Sequence, residues 1–204
     1  MGRSDPYVFN FYKKNIQPKG STALLGFSNN NLFNGDLYDL SLSNWDINSD
    51  WNLKKKYNTI ICTRCAYFCK NPEIFIKKCY EHLEEEGVLF VDWGLGAHWG
   101  EFRDSFKVGW LKDGEHEWEY NKNNFLWSCV WSDEFTQDAE VKKFTNNIKK
   151  FGYSNLKTSV LNEVPSILKL DYIKKYFNVE YKILSLWEDL PQLYILTVGI
   201  KNKS

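Results

Sequence analysis

The sequence has no excess of either charge: Lys plus Arg and Asp plus Glu both number 26. That removes the whole-chain basic field with which nucleic-acid binders gather phosphates, although a local patch remains compatible with it. Nucleic acid is therefore not an expected partner. Arginine is scarce, standing only at positions 3, 64 and 103. This singles out Arg64, because a guanidinium is the better fork for a carboxylate or phosphate. No apolar run approaches the ~20 residues needed to cross a bilayer, so no membrane partner is expected. No charged-then-apolar leader opens the sequence, and Pro6 stands where a myristoylation signal needs Ser or Thr. Cysteines number five, an odd count. Without a leader this points to free thiols in a reducing compartment. The expectation is a soluble cytoplasmic protein, with no internal repeat and no low-complexity linker.

What is present suffices for one globular domain. The 204 residues are 43% hydrophobic and 25% charged, enough apolar surface for a core. Residues 6–16 read as a short amphipathic helix with Asp5 as N-cap and Pro6 in its first turn. Residues 22–28 (TALLGFS) read as a buried parallel strand and 36–42 (DLYDLSL) as a second, weaker one. Residues 43–56 show no clear period. The best-defined part is YNTIICTRCAYF, NPEIFIKKCYEHLEEEG, VLFVDWG over 57–94, a strand, a helix and a strand. Asn71-Pro72 opens that helix, and Glu84–Glu86 with Gly87 as C-cap end it. Three acids at a helix C-terminus oppose its macrodipole, so they are expected to be solvated. Residues 94–132 are dense in aromatics, among them Trp99, Trp110, Trp118 and Trp127, and read as an inserted cap. Residues 133–151 and 163–177 read as helices. Residues 180–201 read as a long β-hairpin turning through Glu188–Gln192.

A parallel βαβ unit followed by a closing antiparallel hairpin resembles the late half of the class I S-adenosylmethionine-dependent methyltransferases. The resemblance covers roughly residues 20–94 and 133–201. It implies an α/β fold with a Rossmann-like, mostly parallel sheet, a C-terminal antiparallel hairpin and an aromatic-rich insertion, all in one domain over 1–204 with 94–132 as the cap. It implies S-adenosylmethionine as cofactor. TALLGFSNN would supply the first strand and glycine turn, DLYDLS the second strand with Asp39 or Asp36 as the ribose acid, and NWDINSDW the adenine loop. Carried over residue by residue, the cofactor side holds Gly26, Phe27, Asp39, Asp46, Ile47, Cys62 and Thr63. The acceptor side holds Arg64, Tyr67, Trp93 and Trp99, with Thr63 between the two. Asp92 and His98 are the candidate catalytic groups.

The sequence departs from the family pattern twice. The first turn reads GFSNNN and offers only Gly26 for close backbone approach, with Asn29–Asn31 able to adopt left-handed conformations in part substitution. About thirty residues separate the strand at 22–28 from that at 57–62, too few for two full crossovers of at least ~10–12 residues each plus a strand. One element of the family is expected to be missing or reduced to a loop.

Each candidate has a plainer structural reading beside it. Trp45, Trp51 and Trp93 flank the cofactor side, where an aromatic face stacks adenine or attracts a sulfonium. Trp residues are also ordinary core. Asp39, Asp46 and Asp50 are acids on loops, which are common. Arg64 at the carboxyl end of a strand is a clamp or a surface ion pair. Cys62, Cys65 and Cys69, with Cys79 and His82 further on, match no metal or cluster spacing and read as buried thiols. His98, near Asp92, Glu115 and His116, is the candidate general base. An acceptor that is already nucleophilic needs none. The implied function is methyl transfer to a small-molecule or sugar- or nucleotide-like acceptor. The rival reading is a methyltransferase-like binding module that uses the aromatic insertion. The oligomeric state is not readable from the sequence.

Overall fold

The computed structural model describes residues 5–66, 69, 71–93, 129–131, 138–140, 142–143, 166–168, 170–186 and 192–202. Its centre is a six-stranded sheet built from β1 (Thr22–Leu25), β2 (Asp36–Tyr38), β3 (Tyr57–Cys62), β4 (Leu83–Asp92), β7 (Phe177–Leu186) and β8 (Gln192–Lys201). The strand order is β2-β1-β3-β4-β8-β7. β2, β1, β3 and β4 are mutually parallel. β8 runs antiparallel to both its neighbours, β4 and β7. This is the Rossmann-like, mostly parallel sheet with a closing antiparallel hairpin that the sequence implied. A separate pair, β5 (Cys129–Trp131) and β6 (Ser166–Leu168), is parallel.

Both faces of the sheet are covered, which is why its inner strands are apolar almost without alternation. Helix α1 (Asp5–Asn15) buries Val8 and Tyr12, and Ile16 continues that stripe, against Leu24, Ile61, Phe90 and Leu196. Helix α3 (Pro72–Glu81) packs on the other face through Phe75, Ile76 and Cys79. The side chain of Asn71 accepts a hydrogen bond from the Ile74 amide and caps that helix. The short helix α4 (Leu170–Lys174) buries Leu170 and Ile173 on the same face.

Several boundaries differ from expectation, each for a local reason. The first strand stops at Leu25, because Gly26 turns the chain at φ +77°. The second stops at Tyr38, because Asp39 caps a one-turn helix, α2 (Leu40–Ser43), by accepting from the Ser41 amide. Helix α3 ends at Glu81 with His82 as its cap, so the acids are not on it. Leu83 pairs with Tyr57, and the ladder resumes at Thr59 with Val88. Residues 84–87 are thus extruded from the β4 edge, with Glu86 at φ +58°. Their acids are exposed, as expected. The Lys201 ammonium, itself buried, ties the extrusion down by donating to the Leu83 carbonyl at 2.8 Å. The helix expected over 163–177 is instead β6, then α4, then the start of β7. The hairpin accordingly begins at Phe177 rather than at 180.

The first half has few connecting helices. β1 passes to β2 through a loop without a helix, and the passage from β2 to β3 holds only α2. Of the helix expected over 133–151, residues 139–140 and 142–143 are described and are helical, with the Lys142 amide donating to the Asp138 carbonyl at 3.0 Å and the Asp138 carboxylate accepting from the Glu140 amide. The aromatic cap lies outside the described residues except for β5. Among the described residues no helix is long and apolar enough to cross a membrane.

Candidate functional site

The chain leaves β1 for β2 on one side and returns to β3 on the other, so the sheet reverses its winding between β1 and β3. In open α/β sheets the crevice outside the carboxyl ends of the strands at such a point is where ligands bind. Here that edge is made by Gly26 after β1, Asp39 after β2, Thr63 to Cys65 after β3, and Asp92 and Trp93 at and after the end of β4.

Local hydrogen bonds draw the first of these together. The Gly26 amide donates to the Tyr38 carbonyl at 2.7 Å, which seats the glycine turn beside Asp39. Asp39 is half-buried, and its Oδ1 is engaged by the Ser41 amide and hydroxyl. The Trp45 amide donates to the Asp39 carbonyl at 3.3 Å, so Asp46 follows directly. Asp46 is exposed and closes its own turn by accepting from the Asn48 amide. Gly26, Asp39 and Asp46 therefore share one end of the sheet. Asp36 does not: it opens β2 at the opposite end, where it accepts from the Tyr57 hydroxyl at 2.6 Å. Burial and this bond push the Tyr57 phenol far up from its ordinary value.

The space over Gly26 is already used. A Cβ added there would stand 2.6 Å from both the Cβ and the Sγ of Cys65. The close approach that glycine permits is thus made by the protein's own thiol.

The aromatic candidates pack inward. Trp45 lies 5.3 Å from Trp51, Trp51 lies 5.5 Å from Phe75, and Phe75 lies 5.7 Å from Trp93, ring centre to ring centre. Trp93 is 0% exposed, and its indole N–H donates to the Thr197 hydroxyl at 2.9 Å. It holds β4 against β8, and its ring faces the core rather than the crevice. Ile47 is also buried, and its carbonyl accepts from the Trp51 indole. Phe27 turns to the α1 face, 6.2 Å from Phe33. The Trp45 indole nitrogen is buried without a hydrogen-bond partner.

A second cluster lies on the α1 side. Asp92 is 1% exposed and accepts a hydrogen bond from the Tyr12 hydroxyl. Burial first, and then the Asp92 charge, raise the Tyr12 phenol well above its ordinary value, so it stays a donor. Arg64, at φ +56°, is exposed and places its guanidinium 5.9 Å over the Phe9 ring of α1. The pairing of Tyr12 with Asp92 spans 80 residues, and no local pattern announces it.

Cys62, Cys69 and Cys79 are buried and Cys65 is half-buried, all as free thiols. Burial raises the Cys62 and Cys79 thiols, and lifts Cys69 to about 12. Among the described residues no group of His, Cys, Asp and Glu is arranged to hold a metal ion. Tyr67, His98 and Trp99, with Glu115 and His116, lie outside the described residues. A groove of about 760 Å³ opens at the other end of the sheet, beside Lys19, Asn58, Glu86 and Asn178. Its buried cation, Lys201, is occupied by Leu83, Glu85 and the Tyr80 ring.

No family model and no curated protein matches the chain. Among solved structures it is similar to a SAM-dependent methyltransferase of Thermotoga maritima, a possible histamine N-methyltransferase. That match has 12% identity and a TM-score of 0.44, covering 98% of this chain and 90% of the other. It is also similar to a candidate methyltransferase of Bacillus halodurans, at 11% identity and a TM-score of 0.38, over 98% of this chain and 100% of the other. Likeness of this size names neither a family nor an activity for the chain.

Proposed function

We propose that the carboxyl-end crevice binds S-adenosylmethionine and that the chain transfers a methyl group to a small-molecule or sugar- or nucleotide-like acceptor. The observation that carries this reading is the convergence of Gly26, Asp39, Asp46 and Thr63 on adjoining strand ends at the winding reversal. The donor set fits such a cofactor. Asp39 and Asp46 are acids outside the core, suited to ribose hydroxyls and an adenine edge. Gly26, at positive φ and half-buried, turns the chain beside them. When bound, the cofactor supplies a methyl group on a sulfonium, which needs positioning more than acid–base help. Asp92, held by Tyr12, is too enclosed to meet an acceptor directly. It serves this reading as a fixed charge behind the crevice. His98 remains the candidate base where the acceptor needs one, and Arg64, Tyr67 and Trp99 the candidate acceptor contacts.

Calorimetry with S-adenosylmethionine and S-adenosylhomocysteine tests the proposal. Asp39→Asn keeps a capping acceptor for α2 while removing the charge. Losing a charge-assisted hydrogen bond of about 1.5–3 kcal/mol weakens binding roughly 10- to 150-fold. Unchanged affinity in that variant would remove Asp39 from the site. One observation favours the rival reading of a binding module without catalysis: Cys65 fills the space over Gly26. No heat from either nucleoside at millimolar concentration would establish that reading over methyl transfer.

A further inference from the structure

We infer that Cys62 and Cys65 form a reversible dithiol–disulfide pair at the mouth of the crevice. The two are spaced C-x-x-C in CTRC, at the end of β3 and in the turn beyond it. Such spacing lets two thiols meet across one turn. The turn is unusual, since Arg64 between them holds φ +56°, and this bends Cys65 back over the sheet. The neighbouring strand shows where Cys65 goes. Its sulfur lies against Gly26, which follows Leu25 on the neighbouring strand. Ile61 is in register with Leu24, so Cys62 stands level with Leu25, one residue short of Gly26. Cys62 and Leu25 belong to the same core cluster, and Cys65 packs against it. The burial of the two differs in the useful sense. Cys65 is half-buried and within reach of a small reagent, whereas Cys62 is 0% exposed.

This arrangement sets the order of events with a low-molecular-weight disulfide as oxidant. The Cys65 thiolate attacks one sulfur of the small disulfide. That S–S bond breaks, and the released thiolate takes up the proton that Cys65 lost. The Cys62 thiolate then attacks the Cys65 sulfur of the mixed disulfide. The bond from Cys65 to the small molecule breaks, and the second small thiol leaves with the Cys62 proton. Two electrons pass from the protein to the small disulfide, which ends as two thiols. Burial disfavours the Cys62 thiolate, but its place one turn from Cys65 gives this second step the advantage of an intramolecular reaction. Closing the bond draws the Cys65 sulfur toward Cys62 and off Gly26. The resulting change in nucleotide affinity rests on the cofactor reading above, whereas the disulfide itself does not.

The test exposes the native full chain to oxidised glutathione, blocks remaining thiols with N-ethylmaleimide under denaturation, and maps the peptides by mass. The expected product is a Cys62–Cys65 link lighter by two hydrogens, with Cys69 and Cys79 alkylated and dithiothreitol restoring the starting mass. In Cys62→Ala the same treatment leaves a stable glutathione adduct on Cys65, and in Cys65→Ser it leaves Cys62 unmodified. A persistent glutathione adduct on wild-type Cys65, a link from Cys65 to Cys69, or no reaction overturns the inference. Because the wild-type map decides the matter, a variant that fails to fold does not rescue it. Failure to bind S-adenosylmethionine in both redox forms counts against the cofactor reading alone.

Discussion

Replacing Tyr12 with Phe removes one hydroxyl and leaves the ring. Tyr12 is fully buried beneath the sheet, and its hydroxyl donates to a carboxylate that is 1% exposed. A hydrogen bond to a charged group contributes about 1.5–3 kcal/mol, so Tyr12→Phe should destabilise by about 2 kcal/mol. For a chain of this size each kcal/mol moves the midpoint by about 2–4 °C, so the fall in Tm should be about 4–8 °C. Urea unfolding of wild type, Tyr12→Phe, Asp92→Leu and the double variant forms a cycle with an expected coupling of about 2 kcal/mol. The difference between wild type and Tyr12→Phe should also depend on pH. The folded phenol titrates above its unfolded value. Its contribution is therefore complete below about pH 10 and declines above it, by about 1.4 kcal/mol per pH unit. A coupling below about 0.5 kcal/mol, or a difference that does not shrink above pH 10, would refute the reasoning.

Cys69 offers a second alkaline limb. Its thiol is raised from 9.0 to about 12 by burial, so the unfolded chain ionises first as pH rises. The stability advantage of wild type over Cys69→Ala should fall by about 1.4 kcal/mol per unit above pH 9, and parallel curves from pH 8 to 10.5 would contradict this. Gly26→Ala places a Cβ 2.6 Å from Cys65 at φ +77°; the strain of a left-handed alanine plus that overlap should cost about 2–3 kcal/mol. Guanidinium unfolding measures it, and a loss under about 0.5 kcal/mol would mean that the Cys65 turn yields freely.

The parts of the fold legible in the sequence are those whose cause is local. Asn71-Pro72 marks the start of α3 because a capping side chain and a proline act on the next turn alone. The apolar runs at Thr22–Leu25 and Tyr57–Cys62 reveal buried strands because both faces of the sheet are covered. The hairpin of β7 and β8 reads from length and composition. What failed depended on distant partners. Residues 84–87 continue a helical-looking run, but Leu83 is claimed by Tyr57 and by the Lys201 ammonium, 118 positions away. Ser166–Leu168 is too short to show alternation and is a strand only because Cys129–Trp131 lies beside it. Gly26 and Asp39 stand after strands, as their sequence positions implied. Cys65 over Gly26 and Tyr12 on Asp92 were not legible, since both contacts join segments far apart in sequence. Trp93 reads as a candidate surface because it follows a strand end, yet Thr197 and Phe75 hold its ring inside.

The placement of β8 has a consequence for synthesis. β7 is made before β8, yet β8 lies between β4 and β7. While the nascent chain has reached only Leu186, β4 shows one open edge and β7 has no neighbour in the sheet. Ten residues, Gln192–Lys201, then satisfy both at once. Until Gln192–Lys201 is in place the parallel half-sheet keeps an open β4 edge, of the kind that recruits other chains.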